Sequence, residues 1–178
     1  MIASAAALLP AYGIRGTSFA RVIEHSGAPR GSVGHHFPGG KDEMIIAAIA
    51  VAGNRVTGQL HGLIESGATF IQAVESVCDY FSQGLMRSDF RAGCPIAAAA
   101  TDEDLSDEAR SVAIGIVDDW ISLLAGSAAA EGLDAEQARL RAETALHSIE
   151  GALILCKLRR SADPLQSALN GIKSFTFS

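Results

Sequence analysis

HSGAPRGSVGHHFPGGK, residues 25–41, is the stretch on which the reading of the chain turns. It packs five glycines, two prolines, two adjacent histidines and two cations, Arg30 and Lys41, into seventeen positions. A glycine-rich segment ending in lysine could cradle a phosphate, a histidine pair could hold a metal, and a broken helix could mark a turn between two helices. The phosphate reading needs GxxxxGK followed by Ser or Thr, between a strand and a helix. Here GGK is followed by Asp42 and no strand pattern precedes it. A metal needs side chains converging from one face, but His35 and His36 are consecutive and would point about 100° apart on a helix. There is no HExxH and no nearby cysteine, so no metal and no cofactor are expected. An interhelical loop with solvated histidines stays open, but a helix-turn-helix accounts for more of the residues at once.

That motif needs a supporting helix, a tight turn containing glycine, and a short second helix offering small, cationic and hydrogen-bonding residues to the major groove. Thr17 and Ser18 suit the N-cap of a helix through Arg21 and Glu24 with Phe19, Val22 and Ile23 facing inward. Gly27 supplies the left-handed turn that ends it. A third helix starts at Pro29, suited to the first helical position, and runs to Phe37, with Val33 and Phe37 inward. Pro38, Gly39 and Gly40 stop it. Gly31, Ser32 and Gly34 let backbone approach DNA closely, and Arg30 and His35 can reach phosphates or base edges. His36 and Phe37 have a plain reading as packing residues against the next helix.

Charge and composition frame this reading. The 178 residues are 48% hydrophobic and 19% charged, enough apolar material for a substantial core. The net charge of −6 argues against nucleic acid, whose phosphates demand lysine and arginine. The distribution of that charge points the other way. Residues 1–60 carry Arg15, Arg21, Arg30, Lys41 and Arg55 against Glu24, Asp42 and Glu43, whereas the remainder carries nine cations against seventeen anions. A mildly basic end on an acidic body suits a separate DNA-contacting end. Cys78, Cys94 and Cys156 are odd in number and widely spaced, which fits a reducing cytoplasm. Charged residues or histidine interrupt every apolar run, so no membrane span is expected, and the opening MIASAAALLPAYG lacks the positive leader of a secretory signal.

Outside the turns the periodicity is helical throughout, predicting an all-α protein of about nine helices. Residues 2–12 put Ile2, Ala5, Ala6 and Leu9 on one face, with Pro10 bending or ending the helix early. From Lys41 a connector helix carries Met44, Ile45, Ala48, Ile49, Ala52 and Val56. Phe70, Val74, Val77, Phe81 and Leu85 then recur as an inward stripe. After a break at Cys94 and Pro95 comes a short alanine helix. Ser106, Asp107 and Glu108 start a helix apolar on two faces, expected to be central and buried, around Ile114, Ile116, Trp120 and Leu124. The longest helix covers 134–160, and Pro164 starts the last. Asp118 and Asp119 diverge as helix neighbours, and no nucleophile and base are arranged together, so an enzyme is not expected.

TSFARVIEHSGAPRGSVGHHFPGGKDEM, residues 17–44, resembles the DNA-binding signature of the TetR (tetracycline-repressor-like) family of bacterial transcription regulators. APRGS, HHFPGGK and, further on, GCPIAAAA are similar to its LmrA/YxaF-like branch. The resemblance implies a three-helix helix-turn-helix head over residues 1–40. Residues 41–178 would then form the connector helix and a helical bundle for effector binding and dimerisation. It implies that Thr17 and Ser18 cap the support helix and touch phosphate, that Arg30, Gly31, Ser32 and His35 lie on the recognition helix, and that Lys41 touches the backbone. Gly34 stands where the family commonly has tyrosine, removing a phosphate-contacting hydroxyl. The chain opens inside what should be the first helix, so the family's basic arm is expected to be missing.

The implied function is a ligand-responsive repressor, a homodimer on an inverted-repeat operator in double-stranded DNA, released by a small apolar or amphipathic effector. The alternative is a helical ligand-binding or scaffold dimer that has lost DNA binding. Pocket walls are expected at Phe81, Leu85, Cys94, Ile96, Trp120 and Ile149, apolar residues of the body, with His147 and Glu150 able to orient a ligand. The dimer surface is expected at Leu146, Leu153, Leu165, Leu169 and Ile172, beside small residues that permit close approach.

Overall fold

A computed structural model describes residues 1–174. Among these residues there are nine α-helices and no strand: α1 (Ile2–Gly16), α2 (Phe19–Ser26), α3 (Val33–His36), α4 (Gly40–Glu65), α5 (Phe70–Arg87), α6 (Pro95–Ala100), α7 (Asp107–Ala130), α8 (Ala135–Arg159) and α9 (Asp163–Ser174). The chain forms two compact units. The first comprises residues 1–55 and 91–116, the second 56–90 and 117–178, so α4 and α7 each contribute to both.

In the first unit α1 buries Ala5, Ala6, Leu8 and Leu9, whereas Ile2, expected on that face, is exposed. The helix does not end at Pro10. Its interruption comes at Gly13, which adopts φ 64°, ψ −173°, a left-handed φ that favours glycine. Pro10 sits inside the helix, and its own carbonyl is used by the Gly93 amide at 3.2 Å. The short α6 follows Cys94 as N-cap, with Pro95 in its first turn where no amide partner is needed. α4 runs from the left-handed Gly40 and buries Met44, Ile45, Ala48, Ile49 and Ala52 here, then Val56 and Leu60 in the second unit.

In the second unit α5 opens with a capping box. The Thr69 hydroxyl accepts from the Gln72 amide (3.3 Å) while the Gln72 side chain accepts from the Thr69 amide (2.8 Å). Its inward stripe Phe70, Val74, Val77, Phe81 and Leu85 is buried as the spacing predicts. The Arg141 guanidinium lies 4.3 Å over the Phe70 ring and pairs with Glu131, whose other oxygen accepts from the Phe70 amide at 2.6 Å. α8, capped by Asp134, buries Ala138, Ala142, Ala145, Leu146, Ile149, Ala152, Leu153 and Cys156.

α7 corrects an expectation. The Ser106 hydroxyl caps it, accepting from the Ala109 amide at 3.2 Å, but the helix is not buried all round. Ala113, Ile116, Trp120, Ile121 and Leu124 are inside, whereas Ile114 is 55% exposed and Asp118 and Asp119 face outward. Among the described residues α7 is the one helix long and apolar enough to cross a membrane by length and composition, and Asp118 and Asp119 interrupt its apolar run as expected. Its packed inner face accounts for that apolar content as core: Trp120 is 2% exposed and donates its indole N–H to Thr57 Oγ1 at 2.9 Å.

Candidate functional site

The site is built from three short pieces of the first unit. Ser18 (φ −89°, ψ 158°) caps α2 by accepting from the Arg21 amide at 3.3 Å, and Gly27 (φ 68°, ψ 10°) ends it, its amide reaching the Ile23 carbonyl. Val22 is the fully buried residue of this helix; Phe19 and Ile23 are half-buried. Pro29 is extended (φ −62°, ψ 138°) and stands as the cap before the next element. The recognition segment therefore starts at Arg30, one residue later than expected, with a 3-10 turn over Arg30–Ser32 that passes into α3. A turn of that tighter kind is common at a helix N-terminus. Ser32 closes it, its amide (3.0 Å) and hydroxyl (2.7 Å) both donating to the Pro29 carbonyl.

Phe37 holds the segment down. It is 3% exposed, its ring stacks on Phe19 at 6.1 Å between centroids, and its amide closes α3 on the Val33 carbonyl at 2.8 Å. The other side of the segment is open: Arg30, Gly31, Gly34 and His35 are exposed, with Ser32 and Val33 half-buried. A Cβ added at Gly31 or Gly34 would meet nothing within 4 Å, so these glycines leave free space on the outer surface and are not demanded by packing. His36 is also exposed, which corrects its reading as a packing residue. Lys41 lies half-buried in the first turn of α4.

Thr17 is a second correction. It is completely buried, and its hydroxyl donates to the Gly13 carbonyl at 2.7 Å, closing α1 instead of facing a phosphate. Arg21 is likewise committed inside the head, its guanidinium donating to the Gly16 carbonyl at 2.6 Å and lying 4.2 Å over the Tyr12 ring. Arg15 is gripped by Glu103 (2.8 Å) and Asp104 (3.2 Å), and its amide donates to Asp102 Oδ2 at 3.0 Å. Hydrogen bonds and charge from Asp104 and Glu103 push the Arg15 guanidinium up. Burial alone would raise the Asp102 carboxyl, yet the amides of Arg15, Asp104 and Ile14 hold it below its ordinary value. No sequence pattern pointed to this clasp, because its partners lie 87 to 89 residues apart.

The expected pocket residues do not fall together in one unit. Cys94 and Ile96 belong to the first, Phe81, Leu85, Trp120 and Ile149 to the second, and all six are buried. A groove of about 250 Å³ in the second unit is lined by Cys78, Asp79, Ser82, Asp163, Leu165 and Leu169 among others, and none of the six lies in its wall. Burial, with Asp79 and Glu75 nearby, pushes the Cys78 thiol up to about 12. The expected dimer residues also need correction. Leu146, Leu153, Leu165, Leu169 and Ile172 are each at most 6% exposed and form the core of their own chain. The apolar residues that α8 leaves uncovered are Leu140, Ile154, Leu155 and Leu158, with His147 and Gly151 exposed between them. Their recurrence at 140, 147, 151, 154 and 158 is a helical stripe that the sequence carried and that the buried stripe beside it obscured.

Comparison with known proteins agrees with this architecture. Residues 1–48 match "Bacterial regulatory proteins, tetR family", and residues 71–170 match "Transcriptional regulator LmrA/YxaF-like, C-terminal domain". The chain is similar to the HTH-type transcriptional regulator Rv0196 of Mycobacterium tuberculosis, 36% identical over 93% of this chain and 86% of the relative. It is also similar to the HTH-type transcriptional regulator LmrA of Bacillus subtilis, 23% identical over 93% of this chain and 88% of that one. Its fold is close to a TetR transcriptional regulator from Legionella pneumophila, with a TM-score of 0.87 at 21% identity over 97% and 92% of the two chains. With its first 48 residues and a hundred-residue stretch of its body both matched, the chain belongs to the TetR family of bacterial transcriptional regulators, in the LmrA/YxaF-like branch.

Proposed function

We propose that this regulator is a cytoplasmic repressor that binds an inverted-repeat operator as a homodimer and is released by a small apolar or amphipathic effector. The observation that carries the DNA half is the recognition segment itself. Arg30, Gly31 and His35 stand on the open side of a short rod whose other side is pinned by Phe37. Ser18, at the start of α2, and Lys41, in the first turn of α4, flank it as phosphate contacts. The amide end of α4 adds a partial positive charge there.

The exposed α8 stripe of Leu140, Ile154, Leu155 and Leu158 supports a two-fold dimer, since large apolar side chains recurring on one helix face are commonly covered by a partner. The effector would act by preferring the arrangement of the dimer that fits the operator less well, lowering affinity by its differential binding. Domain limits at 1–40 and 41–178 remain the functional division we propose.

The test is a titration of duplex DNA flanking the protein's own gene at several salt concentrations. Arg30→Ala with Lys41→Ala is expected to weaken binding and reduce the salt slope by about 0.9 for each lost phosphate contact. Unchanged binding defeats the site assignment, and a monomer in sedimentation defeats the two-fold reading. A second reading, a ligand-binding dimer without DNA affinity, is favoured by Gly34, which puts open space where a hydroxyl could meet a phosphate. Gly34→Tyr separates the two. Measurable wild-type binding, strengthened by the tyrosine, supports the repressor; binding that appears only in the variant supports the second reading.

A further inference from the structure

We propose that Asp102, on the loop between α6 and α7, is a positioning residue for DNA reading: its carboxylate caps the last turn of α1 from outside and so fixes where α2 begins. The functional half of this rests on the DNA-binding reading above; the capping half rests on geometry alone.

Gly13 breaks α1, and a helical turn restarting after such a break has amides with no partner earlier in its own helix. Asp102 supplies the missing acceptor. Its Oδ2 takes the Arg15 amide at 3.0 Å, while Oδ1 takes the Asp104 amide at 3.1 Å and so shapes its own loop. An N-cap aspartate does the same within one helix; here the chain delivers it from 87 residues away. The fit is close. A Cβ added at Gly13 would lie 3.1 Å from Asp102 Oδ2, and the left-handed φ of Gly13 already disfavours any side chain. Arg15, gripped by Glu103 and Asp104, fastens the loop a second time.

The capped turn is tied directly to the DNA-reading elements. The Gly13 carbonyl accepts both the amide (3.1 Å) and the hydroxyl (2.7 Å) of Thr17, the Gly16 carbonyl accepts from Arg21 of α2, and Ser18 caps α2 immediately after. Separate hydrogen bonds, joined by the backbone of residues 13–21, therefore connect the turn that Asp102 caps to the base of the helix that supports the recognition segment.

The two ways in which an acidic residue can influence DNA binding have opposite signs here. Asp102 is an anion on the DNA-binding unit, so removing its charge strengthens binding if only long-range electrostatics matters. Removing a positioning cap weakens it. The experiment compares Asp102→Ala, Asp102→Asn and, as a matched loss of one anion outside the clasp, Glu108→Gln. Each is titrated with the labelled duplex flanking the gene, and amide hydrogen exchange is followed through residues 14–17. Asp102→Ala is expected to bind roughly two- to thirtyfold more weakly than wild type, with faster exchange at the Arg15 amide and unchanged helical circular dichroism. Asp102→Asn, which keeps one acceptor oxygen, falls between, and Glu108→Gln binds as well as wild type or better. If the alanine variant does not fold, the asparagine variant carries the same comparison.

Binding by the Asp102 variants as tight as that of Glu108→Gln overturns the positioning role, and an unchanged Arg15 amide overturns the cap. A wild-type protein that ignores the duplex overturns the DNA reading and the positioning role together, and the exchange result then decides the cap by itself.

Discussion

The recognition segment and α5 are helices of opposite construction. α5 has 18 residues, a reciprocal capping box and seven buried side chains. α3 has four residues, a glycine among them, and none of them is buried. The first is held by what it contains; the second is held by what surrounds it, chiefly Phe37 below and the Pro29 carbonyl that Ser32 closes upon. A segment that must offer its surface to a partner cannot also bury that surface in its own chain. Its stability has to come from residues on either side of it.

The contrast can be tested by substitution. Phe37→Ala removes the buried ring that pins the short rod and is expected to cost about 3–5 kcal/mol, read by urea unfolding, with operator binding lost alongside. A cost below that of removing the α5 cap would break the comparison. Thr69→Ala, which deletes half of that capping box, is expected to cost about 1 kcal/mol while leaving DNA affinity untouched. Gly34→Tyr is expected to raise stability by up to about 0.5 kcal/mol, since the added side chain meets open space and glycine is the weaker helix former. A destabilised variant would mean that the outer face of α3 is not open.

The pH dependence tests the clasp. Asp102 is held below the ordinary carboxyl value of about 3.9, so its contribution is complete above that value and is lost as pH falls through the lower folded-state value. Unfolding measured from about pH 2 to pH 5 is expected to show a shallower acid limb in Asp102→Asn than in wild type. Equal limbs would mean that the carboxylate contributes nothing to holding the loop.

Most of the helices were legible because burial leaves a periodic trace. The spacing of Phe70, Val74, Val77, Phe81 and Leu85 placed α5, the alanines from 138 to 152 placed the inner face of α8, and the caps at Ser18, Ser106 and Gly27 set helix ends. What the sequence hid was of two kinds. Periodicity identifies apolar faces without saying which one the chain covers itself, so the stripe of the buried Leu146 and Leu153 masks that of the exposed Ile154 and Leu158, and the two apolar faces of α7 suggest an enclosure that the fold does not provide. Contacts between distant segments leave no local pattern at all. Thr17 reads as a cap for the helix after it, and only the fold reveals that its hydroxyl closes the helix before it. Pro10 reads as the breaker, but the interruption lies at Gly13, where the carboxylate of residue 102 comes to meet it.

The burial of every cysteine has a practical consequence. Cys78, Cys94 and Cys156 are all enclosed, and burial raises both the Cys78 and the Cys156 thiols, leaving little of the thiolate that alkylating reagents attack. A single cysteine introduced on the open face of the recognition segment, at Gly34, would therefore be modified selectively. A spin label or dye placed there would report the distance between the two DNA-reading ends of a dimer directly, with no need to strip the native sulfurs first.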